Sequence, residues 1–256
     1  MEVIITQDYD AMSERGAQIV IDALRNRPDI VLGLATGSTP EGIYERLVAA
    51  HRNDGLDFSQ AVTFNLDEYV GLGPDHDQSY RSFMNAKLFN HVNVDVARTH
   101  VPDGLAVDPA AHCAQYERMI RQAGGIDLQV LGIGRDGHIA FNEPGTSLGS
   151  RTHVACLTRQ TVEDNARFFD DAAQVPRFAI TMGIGTILEA RTCLLLACGA
   201  NKAPAVRAAL EGPITSMTTA SALQLHPDTT AIVDEAAAAE LELLDYYRWQ
   251  QENRLA

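Results

Sequence analysis

No apolar run in these 256 residues approaches the roughly 18 to 20 needed to span a bilayer, so no membrane-spanning helix is expected. The start, Met1-Glu2-Val3, lacks the basic and long apolar regions of a signal peptide, and a cytoplasmic protein is expected. Cysteine is scarce: Cys113, Cys156, Cys193 and Cys198 form no C-x-x-C pair. That excludes a disulfide or zinc framework and reads as reduced thiols in a core. Basic residues are outnumbered, 20 Lys and Arg against 34 Asp and Glu, for a formal net charge of −14. Such a balance argues against nucleic acid and against an anionic membrane surface as partners. It leaves room for an anionic small substrate, because a local pocket can be positive on an acidic protein. Internal repeats, low-complexity tracts and linkers are missing too, so one domain over 1–256 is expected.

What is present is ordinary in bulk, 46% hydrophobic and 21% charged, and enough to bury a core. Short apolar runs alternate with helical spacings. Val3 to Ile5 reads as an edge strand, Met12 to Leu24 as a helix, and Ile30 to Ala35 as a buried strand. Thr36 to Thr39 follows as a small-residue loop, with Thr39 the predicted N-cap and Pro40 the first residue of the next helix. Strands are predicted at Ala61 to Asn65, Leu128 to Ile133, Thr152 to Leu157, Phe178 to Thr181, Thr192 to Ala197 and Thr230 to Val233. Helices are predicted at Ser79 to Phe89, Pro109 to Ala123, Ile184 to Glu189, Lys202 to Leu210 and, amphipathic, at Ala236 to Gln250. Arg159 to Pro176 is polar and weakly periodic, and a mobile helical flap is expected around 155–178. The alternation predicts an α/β fold, an open and mostly parallel sheet with helices on both faces. Ligands of such sheets bind beyond the carboxyl ends of the strands. The loops after Ala35, Asn65, Ile133 and Ala197 all fall there.

One stretch gathers the chemistry: Leu131 to Pro144, L-G-I-G-R-D-G-H-I-A-F-N-E-P. Gly132, Gly134 and Gly137 match G-x-G-x-x-G after a strand. The dinucleotide version needs a helix opening at the third glycine and an acid on the next strand, and neither is present, so NAD is rejected. Asp136, His138 and Glu143 could form a metal site, a histidine oriented by carboxylates for proton transfer, or a hydrogen-bonded turn. Asp67 and Glu68, at another strand end, could supply a base for a carbon acid or could be two solvated loop acids. Thr36 to Thr39 suits a phosphate at a helix N-terminus, or is an ordinary capped turn. It lacks the lysine and spacing of a nucleotide P-loop, which argues against ATP. Arg167 in the flap and Lys202 after a strand gain meaning only beside a phosphate, where a flap arginine could close over it.

Four blocks in order are similar to the glucosamine-6-phosphate deaminases, over nearly the whole chain. They are Leu34-Ala35-Thr36-Gly37-Ser38-Thr39-Pro40, Thr63-Phe64-Asn65-Leu66-Asp67-Glu68-Tyr69, Gly134 to Pro144, and Asn165-Ala166-Arg167-Phe168-Phe169. The related 6-phosphogluconolactonases share the phosphate loop and the G-x-D-G-H turn but lack the F-N-E-P continuation. The resemblance implies a Rossmann-like fold and conversion of glucosamine 6-phosphate and water to fructose 6-phosphate and ammonia, without a metal or organic cofactor. It implies that His138 assists opening of the pyranose ring, with Asp136 and Glu143 setting its orientation and protonation. Asp67 would move the C2 proton to C1. Gly37, Ser38, Thr39, Arg167 and Lys202 would hold the phosphate. Family members occur as homo-oligomers, hexamers or smaller forms.

In one respect the chain departs from the allosteric members. They place basic residues shortly after the central stretch to bind N-acetylglucosamine 6-phosphate between subunits. His153 and Ala155 stand there here, which predicts activation that is weak or absent. Two other readings fit parts of the sequence: a lactone hydrolase of the same fold, and a sugar-phosphate sensor needing only the phosphate grip.

Overall fold

The computed structural model describes residues 1–253, except 170, 172 and 173. The chain opens with strand β1 (Glu2–Thr6) and helix α1 (Tyr9–Asn26), which Asp8 caps by accepting from the Ala11 amide. Strand β2 (Val31–Leu34) leads into α2 (Ser38–Asp54), and β3 (Val62–Asn65) runs almost directly into β4 (Asp67–Tyr69). Next come α3 (Tyr80–Lys87), β5 (Thr99–His100), α4 (Pro109–Gln122) and β6 (Leu128–Leu131). The second half adds β7 (His153–Cys156), α5 (Arg159–Asn165), β8 (Phe178–Thr181) and the short α6 (Ile184–Ile187). It ends with β9 (Thr192–Ala197), α7 (Ala203–Leu210), β10 (Thr229–Asp234) and α8 (Leu244–Glu252).

Seven strands form one parallel sheet in the order β1-β10-β9-β6-β2-β3-β5. Strand residues alternate between two cores, as the pleat dictates. Ile4, Leu32, Leu34, Val130, Leu194, Leu196 and Ile232 pack with α1 and α2 through residues such as Met12, Val20, Ile43 and Leu47. Val3, Ile5, Phe64, Leu131, Leu195 and Val233 pack on the other face with Tyr116 of α4, Ile184 of α6 and Val206 of α7. Helices on both faces of a parallel sheet are the expected architecture. The four loops picked out in the sequence follow β9, β6, β2 and β3, which are neighbours in the sheet.

A second sheet departs from the simple alternation. It has three antiparallel strands in the order β4-β8-β7. The runs at Thr152 to Leu157 and Phe178 to Thr181 are strands, but they belong to this sheet. Between β3 and β4 stands Leu66, whose amide still donates to Leu34 of the main sheet while its carbonyl accepts from Met182 beside β8. Asp67 is therefore the first residue of the second sheet, at the junction of the two. A small third core of Tyr69, Phe141, Ala155, Leu157 and Ala179, with Tyr80 and Phe169 against it, lies beneath this sheet.

Several boundaries differ from expectation, three of them in ways that matter here. Helix α2 begins at Ser38 with Gly37 as its N-cap, so Thr39 and Pro40 are already inside its first turn. Gly37 takes φ 100, a conformation that costs other residues strain, and this moves the cap two residues upstream. At the C-terminus, helix covers Leu244–Glu252, while 236–243 is mostly turn, with Ala237, Ala238 and Leu241 buried against the sheet. In the expected flap, α5 is followed by a 3-10 turn, Ala166–Phe168; Asp170, Ala172 and Ala173 of that stretch lie outside the described residues.

Candidate active site

The stretch after β6 is a loop that folds back on itself. The Gly134 amide donates to the His138 carbonyl at 2.8 Å, and the imidazole packs over Gly134. A methyl group at Gly134 would stand 2.4–2.6 Å from three ring atoms of His138, so the ring position demands glycine there. Gly132 makes no such demand, since a Cβ there meets nothing within 4 Å. Ala140 adopts φ 51, an uncommon conformation for a residue with a side chain, and directs Phe141 and Asn142 inward. Asn142 is fully buried. Its Nδ2 donates to the Ile139 and Met182 carbonyls at 3.0 and 2.8 Å, and the Phe141 amide donates to Thr181 Oγ1 at 3.0 Å. The F-N-E-P continuation is thus bolted to β8.

That frame places the three titratable groups together. His138 Nδ1 lies 2.7 Å from Asp136 Oδ1 and 3.3 Å from Glu143 Oε2. Asp136 Oδ1 also accepts from the His138 amide, and Glu143 Oε1 from the Thr158 amide at the start of α5. Burial alone would lower the imidazole pKa, but the bonds to Asp136 and Glu143, with their charges, raise it to about 9. Both carboxyl groups show the reciprocal effect: burial would raise them, yet their interactions with His138 hold them below the usual range. The ring is therefore an imidazolium at neutral pH, with Nδ1 flanked by both carboxylates. One ligand atom from each of the three residues lies within 4.8 Å of the others, so the group has the composition and spacing of a cation site as well.

Asp67 behaves in the opposite way. It is 6% exposed, and burial, then the charge of Glu68, raise its pKa from 3.8 to about 8, against an opposing pull from His138. The reading of Asp67 and Glu68 as solvated loop acids is overturned, because the turn from one sheet into the other buries both. Glu68 is the orienting partner of α3. Its Oε1 accepts from the Tyr69 and Tyr80 amides and its Oε2 from the Arg81 amide, at 2.9–3.0 Å. Beside Asp67 the rings of two motif residues, Tyr69 and Phe141, are joined by Tyr80: Tyr69 and Tyr80 have centroids 4.9 Å apart, and Phe141 lies 5.6 Å from Tyr69. No spacing in the sequence marks Tyr80, which comes from α3.

The phosphate candidates come from three places. Gly37, Ser38 and Thr39 open α2, where free amides and the helix dipole favour an anion. Two tyrosines brace that turn. Tyr9 Oη donates to the Ser38 carbonyl at 2.9 Å and accepts from the Gly42 amide at 2.8 Å, and the Tyr44 hydroxyl donates to the Ala35 carbonyl. Lys202 ends a 3-10 turn after β9 and donates to the Ile133 carbonyl at 2.7 Å, which carries its ammonium to the end of β6. Burial lowers the Lys202 pKa, with Arg135 and Arg167 acting in the same direction and Asp164 opposing. Cys198 shares a hydrogen bond with Thr39 and feels the Lys202 charge, so the α2 turn and the lysine are neighbours. Arg167 is exposed on the turn after α5.

Residues 7–232 match the family model of the glucosamine-6-phosphate isomerases/6-phosphogluconolactonases. The chain belongs to this family. The glucosamine-6-phosphate deaminase of Hahella chejuensis is 53% identical over 255 residues, covering 100% of this chain and 97% of its own. That of Thermoanaerobacter pseudethanolicus is 50% identical over 239 residues, covering 93% and 94%. Among solved structures, a monomeric glucosamine-6-phosphate deaminase superposes with a TM-score of 0.92 at 48% identity, over 94% of this chain and 100% of that one. A 6-phosphogluconolactonase from Leishmania guyanensis superposes with a TM-score of 0.71 at 21% identity, a likeness of fold. In this chain the triad loop, the acid at the sheet junction and the α2 turn follow β6, β3 and β2, at the carboxyl ends of the parallel strands. Among the described residues, no helix is long and apolar enough to cross a membrane.

Proposed function

We propose that the protein is a glucosamine-6-phosphate deaminase, converting glucosamine 6-phosphate and water to fructose 6-phosphate and ammonia. The observation that carries this is the pairing of a buried, proton-holding Asp67 with an imidazolium flanked at Nδ1 by two carboxylates. An aldose–ketose isomerisation needs such a pair: a base tuned toward neutrality for the C2 proton and a separate acid for the sugar oxygens.

In this reading the phosphate is held by Gly37, Ser38, Thr39, Arg167 and Lys202, which fixes an otherwise floppy open-chain sugar. Of the flap expected around 155–178, helix α5 and the turn Ala166–Phe168, which carries Arg167, close over it on binding. His138 Nε2 gives its proton to the ring oxygen and then takes the proton of the anomeric hydroxyl, opening the pyranose to the aldehyde. Asp67 removes the C2 proton as His138 returns a proton to O1, forming an enolamine, and Asp67 then gives its proton to C1, leaving an iminium at C2. Water adds to that carbon, the C–N bond breaks, and ammonia departs with fructose 6-phosphate as the other product. Each positioned acid or base contributes about 10²- to 10⁴-fold. The buried Ala155 and the His153 ring, whose Nδ1 lies 2.9 Å from the Arg151 carbonyl, support weak or absent activation by N-acetylglucosamine 6-phosphate.

The test is direct. Purified enzyme with glucosamine 6-phosphate should release ammonia and fructose 6-phosphate in equal amounts; no product at high enzyme concentration would refute the proposal. Turnover should survive a chelator, since Asp136 and Glu143 beside Nδ1 already offset the charge of an imidazolium. Loss of activity on chelation, restored by a divalent ion, would instead make the triad a metal site.

A further inference from the structure

Arg135 has no part in the chemistry above, yet it sits between Gly134 and Asp136 in the central loop. Its Nη1 lies 3.1 Å from Asp164 Oδ1, near the end of α5, and Gln160 Nε2 donates to the same oxygen at 2.9 Å. Asp164 also acts on Lys202, stabilising its charge where Arg135 and Arg167 oppose it. Arg135, Arg167 and Lys202 thus meet around Asp164 at the carboxyl ends of β6 and β9. Helix α5 is tied to the central loop at both ends, by the Thr158 amide on Glu143 and by Asp164 on Arg135. The second tie is the exchangeable one. Arg135 is 52% exposed and Asp164 34%, and solvent-exposed pairs are weak.

Three like charges in one corner repel each other unless an anion stands among them. Asp164 supplies one negative charge. A sugar phosphate carries about −1.5 to −2 near pH 7 and three acceptor oxygens. A guanidinium fork binds phosphate through two parallel bonds, which a carboxylate shared with Gln160 does not match.

We propose that Arg135 is a further binding residue for the substrate's phosphate, and that Asp164 is a built-in placeholder which gives up Arg135 when phosphate enters. This rests on the sugar-phosphate reading above and deepens it, because it makes the end of α5 respond to occupancy of the phosphate site. The carboxylate keeps the cation cluster assembled in the empty site, and the exchange frees the end of α5 next to Arg167 to rearrange around the bound substrate.

Inorganic phosphate followed by titration calorimetry at fixed ionic strength tests it without turnover. Arg135→Gln should weaken phosphate about tenfold, the loss of one charge-assisted contact, and raise the KM for glucosamine 6-phosphate in parallel. Arg135→Lys should recover part of both. Asp164→Asn removes the competitor and should tighten phosphate about threefold, the opposite direction. An unchanged phosphate affinity in Arg135→Gln, or an unchanged or weaker one in Asp164→Asn, overturns the proposal. Should Arg135→Gln fail to fold, the sign of the Asp164→Asn effect decides alone. Wild-type protein that binds phosphate with these shifts but forms no ammonia would sink the deaminase reading and leave the placeholder standing.

Discussion

Asp67 and Asp136 are the same residue type beyond the ends of β3 and β6, on either side of β2, and their surroundings drive them apart. Asp67 enters the second sheet with a like charge next to it in Glu68, and it holds its proton to about pH 8. Asp136 lies against an imidazolium and gives its proton up below the usual range, despite burial that would act the other way. Asp67 is buried and Asp136 only partly so, and the partners differ as well: a second carboxylate for the first, an imidazolium 2.7 Å away for the second. One acid is thereby fitted to exchange protons with a substrate near neutrality, and the other to keep a histidine charged.

The largest effect should come from Asp67→Asn. Turnover should fall by about 10²- to 10⁴-fold with substrate affinity kept, and normal turnover would remove Asp67 as the base. The same change should stabilise the fold. Asp67 binds its proton more tightly folded than unfolded, so it costs stability as pH rises from 3.8 toward about 8. Asn removes that cost. A gain on the order of 1–3 kcal/mol is expected at pH 8 and none near pH 4 by thermal or urea melts. Asp136→Asn, by contrast, should lose stability. That opposition in sign at two aspartates is the sharpest check on the comparison.

Next in size is Gly134→Ala, which changes no titratable group. A methyl 2.4–2.6 Å from the His138 ring must move the ring or the loop. A displacement near 1 Å should cost about 10²-fold in kcat/KM. Activity within a factor of two of wild type would show that the ring position is not critical.

Gly134 also shows how much of the site was legible in sequence. The G-x-D-G-H turn and F-N-E-P were visible as chemistry, but that Gly134 yields to an imidazole while Gly132 yields to nothing depends on which way the loop folds back. The parallel sheet and its order of loops followed from alternation of strands and helices, because buried parallel strands read as short apolar runs. The second sheet did not, because β4 has three residues and follows β3 after a single leucine. Nothing local distinguishes that switch from a strand running on into a loop. The burial of Asp67 and Glu68, on which the tuning of the base depends, is a consequence of that switch. Arg135 was hidden for another reason: its partner Asp164 is 29 residues away and meets it only through packing of α5.

Smaller effects separate the two acids by pH. With Asp67 ionised above about 8 and His138 protonated below about 9, kcat/KM should trace a bell with its maximum between those values. Asp136→Asn removes a main support of the imidazolium, so the alkaline limb should move to lower pH while the acid limb stays. Its stability cost, about 1 kcal/mol, should be present at pH 7 and disappear once pH falls below the native pKa of Asp136, where the wild-type carboxylate is itself protonated. An alkaline limb that does not move would mean that Glu143 alone charges the histidine.

The smallest expected change is Glu68→Gln. Glu68 is second to burial in raising Asp67, and burial pushes Glu68 itself up to about 7 against the three amides that bind it. An amide side chain keeps one acceptor for Tyr69 and Tyr80 and loses the bond from the Arg81 amide, at a cost of about 1 kcal/mol. Without the neighbouring charge, Asp67 should ionise at lower pH. The acid limb should therefore move down, by less than Asp136→Asn moves the alkaline limb, and the bell should widen. An acid limb that stays put in Glu68→Gln would mean burial alone tunes Asp67, and the two aspartates would then differ by one partner rather than two.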